Sequence, residues 1–223
     1  MKFARLLGLF VVGMMLVPFA YADGPVQMVF QGVNGANDGQ YYVSPYYGTM
    51  SYGTMSGQTV TLFCDDIMND ITVGQSWSAN VTNLGTAVNT NNFSQTRYGS
   101  VAGSLVLINP ALAYEEAAWL TTQFASHPGD LVNLQYALWD TMNPGARGNT
   151  NSDVQNWLLL ASEDYGTINL SNFEIVTNVG PLTLTGQEQE FIVQTPEPGT
   201  LLLLICGMLA MSVRLMRRGQ LTT

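Results

Sequence analysis

Between Leu131 and Met142 the apolar positions Leu131, Val132, Leu134, Leu138, Trp139 and Met142 gather on one broad arc when the chain is wound at about 100° per residue. The pattern predicts an amphipathic helix. His127-Pro128-Gly129 and Asn143-Pro144-Gly145 close it on either side, and Asp130 stands where an N-cap belongs. Gln135 falls inside the apolar arc, whereas Asn133, Ala137, Asp140 and Thr141 form the polar side. An amide buried without partners costs about 1 to 3 kcal/mol, so Gln135 must meet hydrogen-bond partners or a reaction that removes its amide.

Alternation of period two predicts strands before this helix. Residues 25–33 read as one, and Gln58 to Cys64 is the clearest, with Val60, Leu62 and Cys64 on one face and Thr59, Thr61 and Phe63 on the other. A further strand runs from about Ser76 to Thr82 around Trp77. The stretch 41–57, rich in Tyr, Gly, Ser and Thr and holding YGTMS twice in tandem, reads as an irregular loop or hairpin with a carbohydrate-stacking surface as its functional alternative. Asp65, Asp66, Asn69 and Asp70 read as a solvated acidic turn, since their spacing does not fit a calcium loop. Residues 86–97 read as an Asn- and Thr-rich loop, and 98–108 as strand or helix.

Asn109-Pro110 opens a second helix that extends to about Ser126, with Glu115 and Glu116 as surface charges, and a third is expected from Asp153 to Ser162. Strands return at Phe173–Thr177, Leu182–Thr185 and Glu190–Gln194. Strands, then about three helices, then strands predict an α+β domain: an antiparallel sheet or barrel with an inserted helical section, spanning 23–194.

The two ends change the count. Lys2 and Arg5, an apolar run from Leu6 to Phe19 and the small-x-small site Ala20-Tyr21-Ala22 before Asp23 predict a signal peptide over 1–22. At the other end Pro196-Glu197-Pro198 precedes an apolar segment at about 200–213 and then Arg214, Arg217 and Arg218. Thirteen residues at about 1.5 Å each reach roughly 20 Å, a marginal membrane span. Taken in that order, residues 195–218 resemble the PEP-CTERM sorting signal of exosortase substrates in Gram-negative bacteria. The resemblance implies an inner-membrane-anchored precursor with its arginines cytoplasmic, an exosortase-type partner, and delivery to the cell surface or exterior; a simple C-terminal anchor is the alternative.

From Asp23 to Thr195 two arginines, Arg97 and Arg147, face fifteen carboxylates, a net charge of −13 with no lysine. Such a surface repels nucleic acid and anionic membranes. One cysteine, Cys64, remains in that stretch, so no internal disulfide can form there, and nothing in the sequence specifies a metal or cofactor.

The sequence therefore directs one cysteine and one glutamine toward the core. Phe63-Cys64 and Gln135-Tyr136-Ala137-Leu138-Trp139, with Tyr114-Glu115-Glu116-Ala117-Ala118-Trp119-Leu120 between them, resemble the thioester domain of bacterial surface adhesins. Leu134 replaces that family's usual threonine before the glutamine, and Asp65 replaces an aromatic after the cysteine. The resemblance implies a Cys64–Gln135 thioester shielded by Trp139 and Phe63, awaiting an amine on a target surface, and a non-enzymatic adhesive role. Two other readings stand beside it. One is an inert core cysteine and glutamine in a protein of the exopolysaccharide or biofilm matrix. The other is a cysteine hydrolase pairing Cys64 with His127, although His127 fits a helix-ending turn better. Gln123 is a second, weaker acceptor because no tryptophan follows it.

Overall fold

The computed structural model describes residues 25–53, 57–100, 106–107, 109–146 and 151–195. Six strands, β1 (Val26–Val33), β2 (Tyr46–Ser51), β3 (Gln58–Cys64), β4 (Ser76–Asn83), β5 (Phe173–Asn178) and β6 (Phe191–Gln194), close into a barrel in the order β1-β2-β3-β6-β5-β4. All six seams are antiparallel. Between β4 and β5 lie the helices α1 (Leu84–Thr90), α2 (Pro110–Gln123), α3 (Leu131–Met142) and α4 (Ser152–Asp164), followed by two short 3-10 turns. This is the expected barrel with an inserted helical section, enlarged by one helix.

Strand alternation builds two adjoining cores. Val26, Met28 and Phe30 of β1 point into the barrel with Tyr46, Leu62, Cys64, Trp77, Val176, Phe191 and Val193. On the outer face Phe63, Phe173, Ile175 and Ile192 join the helical cluster of Tyr114, Trp119, Leu120, Leu134, Leu138 and Trp157. A sheet with one face inside a barrel and part of the other under helices must be apolar on both sides there, and β5 is buried along its whole length. Most of α3 belongs to the helical cluster, but Trp139 belongs to the barrel interior. That helix ties the two cores together.

Several sequence expectations need correction. Of the two forms expected for 41–57, irregular loop or hairpin, residues 46–51 take the second: they form β2, the first arm of a hairpin with β3, and Tyr46, Gly48 and Met50 turn inward between β1 and β3. The 86–97 loop begins inside α1, which Asn83 caps by accepting the N–H of Thr86 at 3.0 Å and Asn91 ends in the left-handed conformation at φ 49°. No strand forms at 182–185, whose carbonyls serve Asn69 and Arg97 instead. On α3 the supposed polar side is covered too: Ala137, Asp140 and Thr141 are buried because α2 and α4 pack beside the helix. Asp130 makes no side-chain cap; its carboxylate accepts from Asn133 and from the Trp157 indole at 2.5 Å. The signal peptide with Ala20, Ala22 and Asp23, and the sorting tail with Pro196, Glu197, Pro198, Arg214, Arg217 and Arg218, lie outside the described residues. Among the described residues no helix is long and apolar enough to cross a membrane.

Candidate functional site

Cys64 is the last residue of β3, and its inward face follows from the alternation of Val60, Leu62 and Cys64. Gln135 and Trp139 are four residues apart on α3, which puts both on one side of the helix. All three meet. The Gln135 Nε2 donates to the Cys64 carbonyl at 2.6 Å, and the Trp139 indole N–H donates to Cys64 Sγ at 3.5 Å. Cys64 and Gln135 are fully buried, and Trp139 retains 2% exposure.

A third segment completes the site, and sequence reading missed it. Loop 34–45 folds back on itself through the N–H of Val43 to the carbonyl of Ala36 and the N–H of Asn34 to the carbonyl of Pro45, both at 2.9 Å. Gly35 lets the two arms touch, since a Cβ there would sit 2.0 Å from the Val43 carbonyl. At its end the buried Ser44 gives its backbone N–H to Gln135 Oε1 at 2.9 Å and accepts the N–H of Cys64 on Oγ at 2.9 Å. A serine before a proline in a tyrosine-rich stretch carries no signal for this role, because the contact depends on how the loop crosses the barrel mouth.

The two halves of the Gln135 amide are therefore held differently. Its oxygen faces a backbone donor, and its nitrogen faces a backbone acceptor on the cysteine itself. Burial pushes the Cys64 thiol well above its usual range, the Asp66 charge adds to this, and the Trp139 indole pulls the other way. The sulfur is accordingly a thiol at neutral pH, donating to the Asp66 carbonyl at 3.3 Å. Phe63, expected to shield the sulfur, faces the opposite way and packs on Phe124 with ring centroids 5.1 Å apart. A surface hollow of about 490 Å³ lies against it, lined also by Pro45, Thr61 and Gln194. Tyr41 takes Phe63's place near the site, edge-on to Trp139 at 5.7 Å.

Of the four residues expected as a solvated acidic turn after Cys64, Asp65, Asp66 and Asn69 are buried and Asp70 alone is exposed. Asp65 and Asp66 are fully buried, and Arg97, also fully buried, reaches Asp66 across 3.0 Å. Asp66 accepts further from Asn69 and from the N–H groups of Met68 and Glu190. Burial raises its carboxyl while Arg97 and Asn69 draw it back. Glu190, anticipated only as the start of a strand, accepts Tyr114 O–H at 2.6 Å, the Arg97 N–H at 2.7 Å and the Thr177 hydroxyl. Arg97 explains the burial: its guanidinium also binds the Asn178 side chain and the carbonyls of Thr183 and Glu188, stitching the loop after α1 to both ends of the β5–β6 connection. Among the described residues Asp65 has no hydrogen-bond partner on either carboxylate oxygen, and burial, with Glu190 and Asp66 beside it, pushes its pKa well above the usual carboxylate range.

His127 is exposed, bonded to the Gln123 carbonyl and packed on Trp157. Its partners are thus Ser126, Gln123 and Trp157, while Cys64 is fully buried, and Gln123 bonds its neighbour Thr122. Among the described residues no group of His, Cys, Asp and Glu is arranged to hold a metal ion. In comparisons with known proteins, no family model, curated protein or solved structure matches this chain.

Proposed function

We propose that the chain is an exported, cell-surface adhesive protein in which Cys64 and Gln135 form an internal thioester that captures amines. The observation that carries this reading is the contact between two residues 71 positions apart, the Gln135 amide nitrogen on the Cys64 carbonyl, with the Cys64 sulfur under Trp139. Cys64 Sγ attacks Gln135 Cδ, and negative charge develops on Oε1, where the Ser44 N–H already points. The C–N bond then breaks, and the thiol proton leaves with the nitrogen as ammonia. Full burial of both residues keeps water from hydrolysing the product. An incoming primary amine reverses the logic, forming an amide with Gln135 and returning the thiol. The lack of lysine between Asp23 and Thr195 leaves the domain without an amine side chain of its own to consume the bond.

Sorting by an exosortase-type partner, through an inner-membrane precursor held by the C-terminal tail, belongs to the same proposal and rests on the residues from Pro196 to Arg218. A second reading, an inert protein of the exopolysaccharide matrix, draws on a specific observation too: every polar atom of the Gln135 side chain is satisfied by backbone, as in an ordinary buried amide. Intact mass separates them. The exported protein, purified without amines or reductant, is expected to be one ammonia lighter than its sequence, to take up methylamine at Gln135, and to lose both properties in Cys64→Ala. Full sequence mass with a titratable thiol supports the inert reading.

A further inference from the structure

We infer that the hollow between the end of β4, helix α1 and the segment 91–95 is a binding groove for a short neutral oligosaccharide. Antiparallel register sets its place in the barrel. Cys64 pairs with Phe191 at one end, whereas Asn83 pairs with Glu174 at the other, beside the start of β1 and the end of β2. The groove is therefore remote from Cys64 and Gln135 and independent of what they form. Its volume is about 860 Å³, in the upper part of the ~300–1,000 Å³ that ligand sites span, which suits a run of sugar rings better than a single sugar.

The lining is amide and hydroxyl. Asn80 and Thr82 come from β4, Thr86 from α1, and Asn92, Ser94 and Gln95 from the segment after it. Such side chains both donate and accept, as the hydroxyls of a sugar do. Much of that capacity is unspent. Among the described residues the side chains of Asn80, Thr82 and Gln95 bond no protein group, and Asn92 uses only its oxygen, which accepts from Ser94. Thr86 gives its hydroxyl hydrogen to Asn83 at 3.2 Å, leaving its oxygen able to accept.

Depth and charge narrow the ligand class. Thr86, Asn92, Ser94 and Gln95 are exposed and form the rim, Asn80 and Thr82 are half-buried, and Glu174 lies deepest at 4% exposure. Among the described residues the Glu174 carboxyl has no hydrogen-bond partner, and its Oε2 is sealed from water. A sugar hydroxyl supplies the missing bond in either state of the acid, donating to it when ionised and accepting from it when protonated. None of the described lining residues is cationic, so a phosphate, sulfate or uronate would meet no counter-charge in a domain of net charge −13. Pro25 and Tyr52 add apolar surface at the barrel end for the C–H faces of the sugar.

The test is titration calorimetry of the full chain with maltotriose, cellotriose, mannotriose and the N-acetylglucosamine trimer, each to roughly 10 mM, and with trigalacturonate as the charged control. At least one neutral trimer is expected to bind, with trigalacturonate roughly tenfold weaker or more. Asn80→Ala and Gln95→Ala each delete a side chain without a protein partner among the described residues, so both should melt like the wild type while weakening the trimer roughly five- to tenfold. If one of them fails to fold, the other decides. The groove is overturned if no neutral trimer binds, if both variants bind as the wild type does, or if trigalacturonate binds more tightly than every neutral trimer. The ammonia deficit is read on the same preparation: trimer binding without the deficit leaves the groove standing and the thioester fallen, and the deficit without trimer binding does the reverse.

Discussion

Glu174 offers a test of how the barrel tolerates its buried acids. It lies on β5 on the same strand face as Val176, 4% exposed, with Oε2 unpartnered. Burial pushes its carboxyl from the ordinary 4.5 up to about 7. The unfolded chain ionises this group near the ordinary value while the folded chain keeps it neutral. Stability from Glu174 is therefore complete below the unfolded value and declines as pH rises, levelling off once the folded group also ionises at about 7. A tenfold difference in proton affinity between the two states is worth about 1.4 kcal/mol, so the whole decline amounts to about 3 kcal/mol. In Glu174→Gln that loss disappears, leaving a constant offset from the new amide, whose unpartnered hydrogens cost about 1 to 3 kcal/mol. Urea denaturation of wild type and variant from about pH 4.5 to 8 measures the difference. The variant should gain on the wild type steadily to about pH 7 and then run parallel to it. A difference independent of pH would refute the argument, since it would mean that Glu174 ionises alike in both states.

Arg97→Met should destabilise the fold by about 3 to 5 kcal/mol, because it strands the Asp66 carboxylate; pairing it with Asp66→Asn should recover a large part, read as a non-additive double-mutant cycle. Ser44→Ala removes the acceptor for the Cys64 N–H while leaving the backbone donor to Gln135, so a stability loss of about 1 to 3 kcal/mol is expected with the ammonia deficit still forming, more slowly, by mass spectrometry. Gln135→Glu sets a carboxylate against the Cys64 carbonyl in place of a donor; the mass deficit should vanish and thermal stability should fall at neutral pH and partly return in acid. Each outcome contradicts the site geometry if the variant behaves like the wild type.

Much of the fold is legible in the sequence because it rests on short-range pattern. The alternation in β1 and β3 and the breakers around α3 declare themselves within about a dozen residues. The inward aim of Cys64 and of Gln135 follows from the same periodicities, and so does the sharing of one face by Gln135 and Trp139. Local pattern fails wherever long-range partners decide. The turn at Asp65 and Asp66 looks solvated until Arg97, some thirty residues later, arrives to neutralise it. Adjacency to Cys64 suggests Phe63 as a shield, yet adjacent residues of a strand face opposite ways, and its partner is Phe124 of the helical layer. β2 stays ambiguous between loop and hairpin in the sequence because its glycine and tyrosines suit either, and pairing with β1 and β3 on both sides makes it a strand.

The sequence alone thus determined the α+β order of elements, the acidic charge with no lysine between Asp23 and Thr195, and the two side chains, one sulfur and one amide, sent inward. Only the tertiary structure decided that they meet, and through what. Barrel closure brings the end of β3, loop 34–45 and the middle of α3 to one point, so that Ser44 bonds both members of a pair of residues that local pattern could aim but not join. The physical reason is that periodicity fixes the direction of a side chain relative to its own element, while contact between elements depends on how the whole chain buries its two cores.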